Sequence, residues 1–250
     1  MGSNQMESGR GRGKAAVNAA QRGSKRAFYL SVAVLLVGGI GTLSYMSTRP
    51  TGAGMVDSTI APIPNQGHAI GSDSALVEVV EFGDFECGAC GSFANLTEPD
   101  VRARLALTGL IRFRFMDFPL QGHPNTWPAH NAAWCAGEQG KFWEMHDAIF
   151  QNQDRWVTEA TRRPEKVLGE LARQLGVGME QYQQCIATEK YRPQIQANAE
   201  EGMRLGVNVT PTFIFGGRRM PGALPYDEFK AVVDTMLAEA RAAKGTKKAK

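Results

Sequence analysis

Hydrophobic and polar positions change texture three times along this chain. Residues 1–26 show no apolar period and are rich in Gly, Ser, Asn, Gln and Arg, a composition that predicts disorder. Residues 27–48, AFYLSVAVLLVGGIGTLSYMST, carry no charge and are bounded by Arg26 and Arg49. As a helix this run rises about 33 Å at ~1.5 Å per residue, enough to cross a hydrocarbon core of roughly 30 Å. The long segment before it, and the lack of a small-x-small cleavage site after it, predict an uncleaved signal-anchor rather than a signal peptide. Residues 49–74 lose the apolar pattern and contain Pro50, Gly52, Gly54, Pro62, Pro64, Gly67 and Gly71, which predicts a flexible linker.

Regular periods begin near Ala75. Residues 76–82, LVEVVEF, are β-branched and bounded by turn residues, so they predict a strand. A helix is expected over residues 87–96. A second helical segment, with Pro99 in its first turn, is expected to end at Gly109. Residues 110–116, LIRFRFM, predict another strand. Strand, helix, strand at this spacing is a βαβ unit with parallel strands and a right-handed crossover. After a loop at 119–128, helical patterns cover 129–139, 141–151, 164–175, 179–188 and 191–205. Residues 212–215 predict a short strand, Gly216-Gly217 a turn, and 218–220 a returning strand. An amphipathic helix over 226–243 closes the domain, and 244–250 read as a disordered basic tail. The expected fold is α/β: a βαβ–ββα core spanning 75–243 with an all-helical insertion over about 122–205.

Charge changes this picture at one end only. Of 28 Lys and Arg and 25 Asp and Glu, six bases and one acid precede Ala27, so the remainder is slightly acidic. The main domain therefore lacks the basic excess of a nucleic-acid binder. The basic residues ahead of the apolar run place the N-terminus in the cytoplasm and the domain outside it.

The candidate chemistry lies in four cysteines. Cys87 and Cys90 form a Cys-x-x-Cys at the start of a helix that follows a strand. A helix N-terminus offers unpaired amides and partial positive charge, which stabilise a thiolate on the first cysteine. The second sulfur lies one turn on and can resolve a mixed disulfide. The competing reading is half of a zinc site, which needs a second close pair of ligands. Cys135 and Cys185 are fifty residues apart in separate expected helices, and no close His pair exists. In an exported domain Cys135 and Cys185 tend to pair as a staple; two buried free thiols is the alternative.

The runs VVEFGDFECGAC, AHNAAWCAGEQGKFWEMHDAIF and GVNVTPTFIFGG together make residues 75–240 resemble the DsbA-like thioredoxin-fold thiol:disulfide oxidoreductases, which are periplasmic or membrane-tethered. The resemblance implies a thioredoxin-like core with a helical insertion. It implies Cys87 as nucleophile, Cys90 as resolving thiol, and a substrate-docking loop at Thr210-Pro211 with a cis peptide bond. Glu81, six residues before Cys87, matches a buried acid of the wider superfamily. Strand alternation sets it on the face opposite Val80 and Phe82, and if buried it serves Cys90 as proton acceptor. Thr210 before the proline also occurs in isomerase-like members. One departure is notable: the dipeptide is Gly88-Ala89, without the histidine of strongly oxidising relatives, and the acids Asp84 and Glu86 are near in sequence. The thiolate is expected to be less stabilised, and the disulfide less oxidising, than in those relatives.

No catalytic role is expected for His68, His123, His130 or His146, which are scattered. No metal or cofactor is implied. The expected partners are cysteine-containing or unfolded exported proteins and a membrane redox partner. The expected activity is disulfide introduction or exchange on the outer face of the cytoplasmic membrane. Its alternatives are a reductase or isomerase kept reduced by a membrane donor, and an anchored binding protein whose cysteines are structural.

Overall fold

The computed structural model of the chain describes residues 54–55 and 66–248. The expected tail at 1–26 and membrane span at 27–48 lie outside the described residues. Among the described residues no helix is long and apolar enough to cross a membrane.

Six strands form one sheet: β1 Gly54–Met55, β2 His68–Gly71, β3 Val77–Gly83, β4 Ile111–Asp117, β5 Thr212–Phe215 and β6 Arg218–Pro221. Their order is β1-β6-β5-β3-β4-β2. β3 and β4 are parallel, from Val77↔Ile111 to Gly83↔Asp117, as the βαβ reading requires. The other neighbours are antiparallel. Period-two alternation decides what each face meets. Val77 and Val79 of β3, with Phe113 and Phe213, pack against Phe93 of α1 (Gly88–Leu96) and Phe229 and Val233 of α9 (Tyr226–Lys248). Val80 and Phe82, with Met116 and Ile214, pack on the other face with Leu205 and Val207.

After α1 the chain makes α2 (Glu98–Val101) and one π-helical turn (Arg102–Ala106) before β4. The insertion follows β4: α3 (Thr126–Gly137), α4 (Phe142–Gln151), α5 (Gln153–Trp156), α6 (Pro164–Gln174), α7 (Met179–Ala187) and α8 (Arg192–Arg204). Ala129, Ala132, Ala133 and Ala136 give α3 a small-residue face, buried with Ile149, Leu168 and Trp156 in a core that also takes in Phe85 and Phe115. Cys135 of α3 is bonded to Cys185 of α7, with Cα atoms 5.8 Å apart. Asp117, at the end of β4, ties the insertion to the sheet. Its carboxylate accepts from His130, from Trp134 Nε1 (2.8 Å) and from Asn198 Nδ2 (2.6 Å). Burial pushes this carboxyl up, but the charge and hydrogen bond of His130, with the other two donors, bring it below the usual aspartate range.

The structure differs from the sequence reading in the linker, in the insertion and at the C-terminal helix. Residues 68–71, inside the expected linker at 49–74, form β2, paired to β4 from His68↔Phe115 to Gly71↔Arg112, and residues 54–55 pair with β6. β2 is a four-residue edge strand, too short to show alternation. Its limits are set by Gly67 (φ 83°) and Gly71 (φ 103°), where an added Cβ would lie 2.3 Å from the Phe115 carbonyl oxygen and 2.5 Å from that of Ile111. Gly67 and Gly71, part of what suggested a flexible linker, are thus close backbone contacts. α3 begins at Thr126, inside the expected loop, and α5 was not foreseen. α9 runs to Lys248, taking in most of the expected tail, because Ala and Lys sustain a helix once it is nucleated.

Candidate active site

The site forms where β3 ends and α1 begins. Cys87 is the N-cap of α1, in extended conformation, and its carbonyl accepts from the Gly91 N–H (3.0 Å). The turn that delivers it is held by Asp84. The Cys87 N–H donates to the Asp84 carbonyl (3.1 Å), and the Asp84 N–H donates to Cys90 Sγ (3.5 Å). The Asp84 carboxylate is fully buried. It accepts from the N–H groups of Glu86 (2.7 Å) and Leu120 (2.8 Å), from the Thr126 hydroxyl (2.6 Å) and from His123 Nδ1 (2.8 Å). The Glu86 carboxylate accepts from the Asn125 N–H (2.9 Å) and the Thr158 N–H. Both acids near the thiols are therefore bonded to loop amides.

The two thiols have opposite environments. Cys90 is fully buried, whereas Cys87 is half-buried, and both are free. Cys87 Sγ lies 3.4 Å from the Thr210 carbonyl, to which the thiol donates. The Thr210–Pro211 peptide bond is cis. The Thr210 hydroxyl is buried and has no partner among the described residues. The Cys87 pKa is lowered to about 5, first by a hydrogen bond from the Cys90 thiol, then against desolvation by Thr210 and by the amides of Cys90 and Ala89. Burial pushes the Cys90 thiol well up, and its hydrogen bond to Cys87 and the charges of Cys87 and Glu81 push it further. Ionisation is thus favoured at Cys87 and opposed at Cys90.

Glu81 lies on the α1 side of β3 and is only 1% exposed. Burial raises its carboxyl well above the usual glutamate range, and the charge of Glu98 adds to this. In front of the thiols, Gln153 of α5 donates from Nε2 to the carbonyls of Phe85 (2.7 Å) and Cys87 (3.1 Å). This approach requires glycine at 91, where a Cβ would lie 2.2 Å from Gln153 Oε1. Among the described residues no three His, Cys, Asp or Glu side chains gather as a metal site.

A thioredoxin family model matches residues 64–235, which include the whole of this site. The chain belongs to the thioredoxin family. Over 189 residues it is 33% identical to the Na(+)/H(+) antiporter NhaA 1 of Salinispora arenicola, a match that covers 75% of this chain and 27% of the antiporter. The chain thus spans about a quarter of the length of the first curated relatives it matches. It is 25% identical over 175 residues to disulfide bond formation protein D of Bacillus subtilis, covering 67% of this chain and 76% of that protein. Its fold matches α-DsbA1 of Wolbachia pipientis with a TM-score of 0.65 at 20% identity, covering 75% of this chain and 98% of that one.

Within this thioredoxin fold the residues singled out from sequence divide in two. Cys87, Cys90, Glu81, Thr210 and Pro211 converge where β3 ends and β5 begins, although 123 residues separate Cys87 from Thr210. Cys135 and Cys185 form a disulfide inside the insertion, between α3 and α7. Sequence reasoning did not find Gln153 or Glu98. It also gave His123 no role, yet His123 is bonded to Asp84 and feels the charge of Cys87. The only signal for His123 was its position in the loop after β4.

Proposed function

We propose that this chain is a thiol:disulfide oxidoreductase in which Cys87 and Cys90 exchange disulfides with cysteine-containing exported proteins. The observation that carries the reading is the pairing of a low-pKa, half-buried thiol at a helix N-cap with a buried, protonated neighbour. In the oxidising direction a substrate thiolate attacks Cys87 Sγ of the Cys87–Cys90 disulfide. Cys90 leaves with the electron pair and takes up a proton. A second substrate thiolate then attacks the substrate sulfur of the mixed disulfide. The substrate leaves oxidised and the pair is left as the dithiol. A Cys87 pKa lowered to about 5 favours its thiolate, and so stabilises the dithiol form relative to an unperturbed pair.

The remaining parts of the reading rest on sequence. The run at 27–48 anchors the domain in the cytoplasmic membrane with the N-terminus inside, and a membrane redox partner reoxidises or reduces the dithiol. Pro211 and the backbone beside it dock an extended substrate segment. The test is a Cys90→Ser variant expressed in a cell that exports it. It should accumulate mixed disulfides through Cys87 that reducing gels release and that Cys87→Ser abolishes. A variant that traps no protein, with function intact in Cys87→Ser, would return the cysteines to a structural role. A topology reporter fused at the C-terminus should read outside the cytoplasm; an inside signal refutes the export reading.

A further inference from the structure

Behind the thiols lies a line of buried acid and base groups that the exchange reaction as described leaves unused. Glu98, in the first turn of α2, is 0% exposed. Both Glu98 carboxylate oxygens, Glu81 Oε2 and His146 Nε2 are buried without a hydrogen-bond partner among the described residues. Leaving so many buried polar atoms without hydrogen bonds in one place costs free energy and asks for a functional reason. Glu98 Oε1 lies 3.3 Å from Arg102 Nε, and Glu98 Oε2 lies 3.7 Å from His146 Nε2, one small side-chain movement from a hydrogen bond. The other His146 nitrogen, Nδ1, is 3.0 Å from Asp147 Oδ1, which Arg102 Nη2 also holds at 2.6 Å. The Asp147 side chain is one-third exposed. The line therefore starts at Cys90, whose thiol feels the Glu81 charge, passes Glu98 and His146, and ends in solvent. Phe85, Phe115, Phe142, Phe150 and Trp143 pack around His146 and wall the line with apolar rings. The other ionisable groups facing this region are Cys87 on α1, Arg102 on the π-helical turn, His68 on β2, and the Asp117–His130 pair on β4 and α3.

We propose that Glu98, His146 and Asp147 carry the proton between Glu81 and solvent each time Cys90 gains or loses it. This rests on the oxidoreductase reading above. When Cys90 resolves a mixed disulfide on Cys87, its proton passes to Glu81 and its sulfur bonds Cys87 Sγ. The partner sulfur leaves with the electron pair of the broken bond. The Glu81 carboxyl, in a fully buried position, must hand a proton outward as it takes this one in, so resolution runs no faster than the outward path. Glu98 accepts it and passes it to His146 Nε2. His146 then releases the Nδ1 proton to Asp147 and so to water. Oxidation of a substrate runs the same path inward. Glu98 touches no substrate; it acts through Glu81.

The test uses the full chain, reduced, mixed rapidly with excess of an aromatic disulfide that releases a coloured thiolate. The first release reports attack by Cys87 and the second reports resolution by Cys90. In Glu98→Gln and in Asp147→Asn the first phase should match wild type, while the second slows by about tenfold or more. Added imidazole, which can take protons at the surface end, should restore the second phase in Asp147→Asn. A second phase unchanged in both variants overturns the proposal, as does equal slowing of both phases, which marks a packing defect. If Glu98→Gln does not fold, the partly exposed Asp147→Asn decides alone. A wild-type chain that gives no second release refutes the oxidoreductase reading itself, which separates the two failures.

Discussion

Replacing Thr210 by valine keeps a β-branched side chain beside Cys87 and removes one hydroxyl. In the dithiol form that hydroxyl has no partner among the described residues, while the Cys87 thiol donates to the Thr210 carbonyl at 3.4 Å. Ionisation ends that donation, and the hydroxyl can then turn its proton to the sulfur, which lowers the Cys87 pKa after the larger effect of Cys90. A hydrogen bond to a charged group contributes about 1.5–3 kcal/mol. At about 1.36 kcal/mol per pKa unit, its loss should move Cys87 from about 5 to about 6–7. A higher pKa destabilises the reduced, thiolate form relative to the disulfide. The pair should therefore become less oxidising, by about 30–60 mV at ~30 mV per 1.4 kcal/mol. Ultraviolet absorbance of the thiolate across pH measures the first quantity, and equilibration with glutathione measures the second. Both should move together. If Thr210→Val titrates and equilibrates like wild type, the hydroxyl donates nothing to the thiolate, and Cys90 with the helix amides must supply all of the depression.

Three further outcomes follow from other parts of the fold. Replacing Cys135 and Cys185 together by alanine opens a loop of fifty residues and should lower unfolding stability by about 4 kcal/mol, read as a lower denaturant midpoint, with the Cys87 pKa unchanged. Gly202→Ala brings a Cβ within 2.6 Å of the Phe118 ring and 2.9 Å of Phe82, so α8 must lift from the sheet at a cost of about 1–3 kcal/mol, measured by the same unfolding curve. His123, although burial works to lower its pKa, is raised by its hydrogen bond to Asp84 and by the charges of Asp84, Glu86 and Cys87. Its pairing therefore contributes stability that is full below the unfolded value near 6.5 and is lost as pH rises through the higher folded value. His123→Ala should remove that part of the pH dependence; a stability profile identical to wild type across this range refutes the pairing.

The parts of this site that were legible in the sequence are those with a local signature. β3 showed itself by β-branched residues, α1 by its position after a strand, and the thiols by their spacing at its start. Alternation also put Glu81 on the face opposite Val80 and Phe82, the face that turns toward α1. What stayed hidden is held by contacts between distant segments. Asp84 and Glu86 looked like charges that would oppose a thiolate. Their carboxylates are instead bonded to Leu120, Thr126, Asn125 and Thr158, which are 36 to 72 residues away. β2 was hidden for a related reason, since a short edge strand bracketed by glycines has the composition of a linker. Glu98 is the sharpest case. An acid in the first turn of a helix is ordinarily explained by the helix dipole. Here that acid is wholly buried beside Arg102 and His146, and only the packing of α2 against α4 and the sheet makes it a candidate for proton traffic. The chemistry of Cys87 is announced by two cysteines three positions apart, but its strength is set first by Cys90 and then by Thr210, 123 residues away, while the charge of Glu81 on β3 acts on Cys90. Tuning of this kind leaves no periodic trace in a chain, because each tuning group sits in its own element for reasons of packing and meets the sulfur only once the elements have assembled.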